Sequence, residues 1–167
     1  MPTSTVTATH TRTNTATYLT DLILGTVGDL LASLGIDATR LYRDWAQDEA
    51  AIKQWILEAS LKKLVLECVQ PNGTVAPIFE FPVTYSATGL GNAAFAAQRA
   101  KLARYRAKLA SVPRGTTYRI VCTFQGAHSP MDGWSPTKRT STAGLKANNF
   151  GVLGSGPHAT ASMRVLS

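Results

Sequence analysis

Apolar positions along the chain change their period several times, and each change predicts an element. Leu19, Leu22, Ile23, Val27, Leu30, Leu31 and Leu34 recur at three- and four-residue steps, which predicts a helix over 15–34. Gly35 follows as a C-cap, because helices commonly end on a left-handed residue and glycine adopts that conformation without a Cβ clash. Leu41, Trp45, Ile52, Trp55 and Ile56 form a second stripe and predict a helix over 39–59, entered through Asp37 or Thr39, with its tryptophans in the core. The period then drops to two. Lys63–Val69 and Val75–Tyr85 flank the turn signal Pro71-Asn72-Gly73 and predict a β-hairpin. Pro77 and Pro82 each remove a ladder donor, which makes the second strand an edge or a bulged strand. After a Gly-rich loop over 88–92, Phe95, Leu102, Tyr105 and Leu109 predict a third helix over 92–110. Tyr118, Ile120, Cys122 and Phe124 alternate and predict a strand over 116–124.

The two ends follow other rules. Threonine occupies every odd position from Thr3 to Thr17, a polar β-branched alternation that predicts an extended arm over 1–14, paired with a sheet edge of its own or of a neighbour. Beyond Phe124, residues 126–167 are rich in Gly, Ser, Thr, Ala and Pro, with only short β-like stretches at Phe150–Leu153 and Ala159–Val165. Long segments without clear elements of their own are often functional. At about 3.3 Å per residue this one is long enough to wrap one side of a small domain. The chain therefore divides into an arm (1–14), a core (15–125) and a tail (126–167) within a single domain.

Composition narrows the class. The 167 residues are 44% hydrophobic, enough for a core without metal or disulfide support. No apolar run approaches a membrane span, and Met1–Thr5 lacks the basic and apolar regions of a signal peptide, so a soluble, cytoplasmic protein is expected. The net charge of +7 is uneven: residues 1–60 carry 4 bases and 7 acids, and residues 61–167 carry 13 bases and 3 acids. Between Phe81 and Met131 there is no acid, and the bases Arg99, Lys101, Arg104, Arg106 and Lys108 gather on the third helix. They form either a solvated helix face or an electropositive surface for an acidic partner.

Catalytic patterns are missing. His10, His128 and His158 lie in separate segments, and no CxxC or HExxH spacing marks a metal site. Cys68 and Cys122 read as reduced, buried thiols in neighbouring strands, and a Cys–His pair with His128 has no supporting signature. Asp44, Asp48 and Glu49 offer Mg²⁺ ligands but read better as the solvated face of the second helix. Neither a catalytic set nor a cofactor is expected.

The order of these elements, with several local stretches, resembles the HORMA domain, and more closely bacterial HORMA family 1. The stretches are Thr11–Leu19 entering the first helix, Leu34–Leu41 entering the second, Trp45 with Trp55, Thr117–Val121, Gly133-Trp134-Ser135-Pro136-Thr137 and Arg139–Leu145. The resemblance implies an α+β HORMA fold, an antiparallel sheet backed by three helices, with the tail as a C-terminal safety belt. It implies an adaptor rather than an enzyme: a closure-motif peptide held by Trp134, Ser135, Arg139, Thr140, Leu145, Phe150, Val152 and Leu153. It also implies the setting of a CBASS anti-phage operon. There the closed protein activates a cGAS/DncV-like nucleotidyltransferase, and an AAA+ ATPase opens it by pulling on the arm around Thr9, His10, Thr11 and Arg12. Self-association through arm or tail is a further expectation. The rival function is nucleic-acid binding through the basic third helix; no membrane role is expected.

Overall fold

A computed structural model describes residues 2–86 and 96–167, and of residues 2–11 and 96 it describes the backbone alone. The elements run α1 (Pro2–Leu34), α2 (Thr39–Arg43), α3 (Trp45–Leu57), β1 (Leu61–Val69), β2 (Val75–Tyr85), β3 (Ala96–Ala97), α4 (Arg99–Arg106), β4 (Thr117–Phe124), β5 (Ala147–Ser155) and β6 (Ala159–Leu166). All strand pairings are antiparallel, and one six-stranded sheet has the order β3-β5-β6-β2-β1-β4.

The first helix carries the core. Ala16, Leu19, Ile23, Leu24, Val27, Leu30, Leu31 and Leu34 are all buried, and they pack with residues of α3 and of the sheet in one cluster. Gly35 ends α1 at φ +77°, with its N–H on the Ala32 carbonyl (3.2 Å) and the Ile36 N–H on the Leu31 carbonyl (2.9 Å). This paired closure is the one the C-cap expectation requires.

The threonine arm is not a strand. Residues 2–14 continue α1 as helix, so the 33-residue element begins well before the predicted start. One effect explains the reversal. A helix already held by the buried stripe elongates without a new nucleus. Further along α1 the threonine hydroxyls are satisfied on the preceding turn: Thr17 Oγ1 donates to the Thr13 carbonyl (3.0 Å), Thr20 to Ala16 (2.7 Å) and Thr26 to Leu22 (2.7 Å).

The second predicted helix is α2 and α3, interrupted at Asp44 but bridged by Asp44 N–H to the Arg40 carbonyl and Asp48 N–H to the Asp44 carbonyl (both 3.0 Å). The third shortens to α4, and its predicted residues 92–95, Phe95 included, lie outside the described residues together with the loop over 88–92. Among the described residues the three expected helices therefore become four, the second being split in two. Cys68 and Cys122 sit on paired strands as free thiols, and burial pushes the Cys68 thiol up to about 12.

The tail contributes two full strands, and β6 lies between β5 and β2 inside the sheet. Consequently β2 is central rather than an edge, and of the two proline expectations the irregular strand holds. The register of β1 against β2 shifts between Glu67 and Val69, opposite Val75–Ile78. On its other side, the pairing of β2 with β6 steps from Glu80↔Arg164 to Val83↔Ala161, past Phe81 and the donorless Pro82.

Alternation divides the sheet. Leu64, Leu66, Cys68, Phe79, Phe81, Ala161 and Met163 face the helices in the main core. Val65, Ile78, Val121 and Leu166 form a second, smaller buried cluster on the outer face, with Val75 and Leu145 against it.

α3 closes by the same hydrogen-bond pattern as α1, with Ser60 N–H on the Trp55 carbonyl (2.9 Å) and Ala59 N–H on Ile56 (3.0 Å), but the left-handed position is Ala59 at φ +57°. An L-residue there costs roughly 1–2 kcal/mol, partly offset by the backbone freedom glycine would lose on folding. Ala59→Gly is expected to stabilise the fold by about 0.5–1 kcal/mol in urea denaturation.

Candidate functional site

β4 ends the sheet, and no described strand pairs with its outer side. Arg40 Nη2 donates to the Tyr118 carbonyl (2.7 Å), and its guanidinium lies 4.7 Å over the Tyr118 ring. That bond fixes the parity of the strand: Tyr118, Ile120, Cys122 and Phe124 turn their backbone groups outward, and the alternate residues turn theirs to β1. The outward row of Ile120 and Cys122 is a template for another strand.

Residues 125–146 pass around this edge. The segment leaves β4 with Gln125 N–H on the Ser60 carbonyl (2.9 Å) and stays first on the helix side. There His128 stacks on Phe124 (3.6 Å between ring centres). Ser129 donates from its N–H and its Oγ to the Glu58 carboxylate (2.8 Å each), and Trp55 Nε1 donates to the Ser129 carbonyl (2.7 Å). Gly133, at φ +83°, turns the chain where a Cβ would collide with the Gln47 side chain. The turn sets Trp134 edge-on against Trp55, 5.2 Å between ring centres. By Arg139 and Thr140 the segment has reached the outer face of the sheet, and Leu145 joins the apolar cluster there.

Between edge and segment lies a cavity of about 470 Å³, lined by Trp55, Ile120, Cys122, Phe124, Met131 and Trp134 among others. A smaller one of about 170 Å³ continues it past Ile120 and Trp134 to Arg40, Asp44 and Asp48. Burial and the neighbouring Asp44 push the Asp48 carboxyl up to about 6, against the pull of Arg40. Trp134 Nε1 is buried and has no hydrogen-bond partner among the described residues. The groove thus combines a free backbone edge, an aromatic floor and one unanswered indole N–H.

On the outer face two buried carboxylates meet the segment. Glu67 accepts from Arg119 Nε, from the Thr140 N–H (2.6 Å) and from Thr140 Oγ1 (2.9 Å). Glu80 accepts from Arg139 Nη1, Arg164 Nε (2.6 Å) and Lys63 Nζ (3.4 Å). Burial alone would raise the Glu80 carboxyl, but the Arg164 and Arg139 guanidiniums, with Lys63, outweigh it and hold the group below the usual carboxylate range.

The sequence model of the family Bacterial HORMA domain 2 matches residues 3–164. The chain belongs to that family. The resemblance to family 1 is corrected accordingly. The HORMA fold recurs in solved structures. A chain of a mitotic checkpoint complex superposes with a TM-score of 0.73 at 11% identity, over 90% of this chain and 97% of that one. C. elegans HTP-1 bound to the HIM-3 closure motif gives 0.67 at 13%, over 89% and 87%. A chain of the E. coli MS115-1 HORMA:CdnC:Trip13 complex gives 0.62 at 8%, over 93% and 89%. A comparison with curated proteins finds no match.

The HORMA domain scatters the residues singled out from its sequence. Trp134 and Ser135 line the cavity, Arg139 and Thr140 bind the outer-face acids, and Leu145 packs beside them. Phe150, Val152 and Leu153 belong to β5, separated from β4 by three strands, so they do not line the groove. Thr9, His10, Thr11 and Arg12 lie in α1 instead of an extended arm. The side chains of residues 9–11 are outside the described residues; Arg12 is exposed. Burial first, and then the charge of Arg12, push His158 below its ordinary range. Arg99, Lys101 and Arg104 are exposed on α4 and Lys108 just beyond its end; Lys101 Nζ donates to the Phe150 carbonyl (2.5 Å), while Arg106 leans on Ser33 (3.0 Å) and Asp29 (3.8 Å). Among the described residues no cluster of metal-ligating side chains occurs, and no helix is long and apolar enough to cross a membrane.

Sequence reasoning missed Arg40, Glu58, Glu67, Glu80 and the floor residue Trp55. For the two sheet acids a signal existed: each is a lone charge inside an apolar strand run, Leu64–Val69 and Ile78–Val83.

Glu58 anchors the near end of the segment. Burial would raise its pKa, but hydrogen bonds from Ser129, Ser60 and Gln54 prevail and bring it to about 2. A depressed carboxyl stabilises above its unfolded pKa and loses that effect as pH falls through its folded one. The Ser129 anchor should hold at neutral pH and release as pH drops from about 4.5 toward about 2. Tryptophan fluorescence should follow that release, and Glu58→Gln should show the loosened signal already at pH 7.

Proposed function

We propose that this HORMA domain is a peptide-binding adaptor in which residues 125–146 act as the safety belt. An extended peptide adds to the outer edge of β4, its backbone pairing with Ile120 and Cys122 and one side chain entering the cavity beside Trp55 and Trp134. The observation that carries this reading is the unpaired β4 edge enclosed by a chain segment with a 470 Å³ cavity between them. Trp134 Nε1 would donate to a peptide carbonyl. The HTP-1 structure, solved with a closure motif, supports the same mode by likeness of fold.

The peptide-bound state would engage a cGAS/DncV-like nucleotidyltransferase, and an AAA+ ATPase would reset it through the first turns of α1, around Thr9–Arg12. The E. coli complex, whose components are HORMA, CdnC and Trip13, supports this assignment to anti-phage signalling of the CBASS type. A second reading, nucleic-acid binding, is favoured by a concavity of about 400 Å³ between α4 and β5. Lys101, Arg104, Lys108, Asn148 and Asn149 line it without an acid. Its mark would be a steep fall of affinity with salt.

Peptides selected from a random display library and measured by calorimetry test the first reading. Cys122→Pro deletes one outward N–H while sparing the ladder to β1, a placement edge strands tolerate. It should weaken selected peptides by more than about tenfold with little change in melting temperature. Selection of no peptide, or unchanged affinity in the variant, would overturn edge addition.

A further inference from the structure

We propose that Glu67 and Glu80 are positioning residues that clasp the crossing segment onto the outer face, and that release of this clasp is the step that opens the groove. The inference rests on the peptide-binding reading for its consequence, and on outer-face geometry for its substance. Both carboxylates are essentially inaccessible to solvent, at 0% and 1% exposure. Consecutive residues of the segment take one each. Arg139 reaches Glu80; Thr140 reaches Glu67 with both its N–H and its hydroxyl. Because neighbours on an extended chain point to different sides, this double engagement fixes the segment to a single register, which a purely apolar contact such as that of Leu145 does not.

Two features mark the arrangement as a fastening meant to come undone. Apolar residues of similar size at these positions would hold a permanently packed segment as well or better, since buried ion pairs often contribute little net stability. The sheet also keeps its own counter-ions. Arg119 stands directly opposite Glu67 on β4, and Arg164 directly opposite Glu80 on β6, with Lys63 nearby. When the segment lifts, water enters and neither carboxylate is left without a cation, so the penalty for an orphaned buried charge is avoided. Arg119 works in both states: with the segment in place it also donates to the Lys138 carbonyl (2.9 Å) and to Thr140 Oγ1 (3.1 Å).

Hydrogen exchange on the full-length, peptide-free protein tests the clasp without reference to any ligand. Glu67→Gln and Glu80→Gln, and separately the pair Arg139→Met with Thr140→Val on the segment itself, should speed exchange of residues 126–146 by roughly 10- to 100-fold. Exchange in β1 and β2 should stay slow. The segment pair keeps the test valid where a buried glutamine prevents folding. Unchanged exchange over 126–146 in the folded variants overturns the clasp. Faster exchange with no library peptide bound leaves the clasp standing and removes the peptide reading. Where peptides do bind, their dissociation should accelerate in the same variants, and an unaltered dissociation rate overturns the clasp as the opening step.

Discussion

The structure depends on an unfinished sheet. A strand with one side of its backbone unpaired either recruits a partner or must be guarded, and among the described residues β4 is such a strand. The surroundings can be understood as responses to it. Arg40 occupies the Tyr118 carbonyl at one end of the row, Gln125 steers the chain away at the other, and residues 126–137 stand off the edge on aromatic contacts to Trp55 and Phe124. The segment does not itself pair with β4. It encloses the edge and leaves the hydrogen-bonding row between them open.

The part of the fold that was legible has local signals that agree with one another. The stripe from Leu19 to Leu34, the glycine after it and the turn at Pro71-Asn72-Gly73 each specify their own conformation. The threonine repeat misled for a physical reason. Alternation and β-branching argue for a strand only where no helix is at hand to be extended. The tail was misjudged differently. Ala159, Ala161, Met163 and Val165 do alternate, yet the place of β6 beside β2 is decided by partners some eighty residues away. No local pattern could set Phe150 and Leu153 on the side of the sheet remote from the groove. The groove itself was half visible: Trp134 stood out, and the acids of β1 and β2 were conspicuous only once the two faces of the sheet were known.

Charge on this molecule is used at three distances. Glu58 binds the segment through neutral donors on the helix side. Glu67 and Glu80 bind it through cations and a backbone N–H on the other. The bases of α4 touch neither: Lys101 and Arg106 hold the helix to β5 and α1, and Arg99 and Arg104 are exposed. A net charge of +7 therefore conceals an acidic interior fastening and a basic exterior.

The route of the segment also carries a topological consequence. It joins β4 to β5, strands four positions apart in the sheet, a gap of about 19 Å at about 4.8 Å per strand. Sheet and segment together form a ring, closed by the hydrogen bonds between strands, around whatever lies along β4. A chain held inside can leave by sliding out lengthwise or by waiting for the ring to part. Sliding is barred to any ligand with a folded body on both sides of the threaded stretch. Two ligands with identical contacts would then be retained for different times according to what is attached to their ends, and residence becomes a property of the cargo's shape as well as of its sequence.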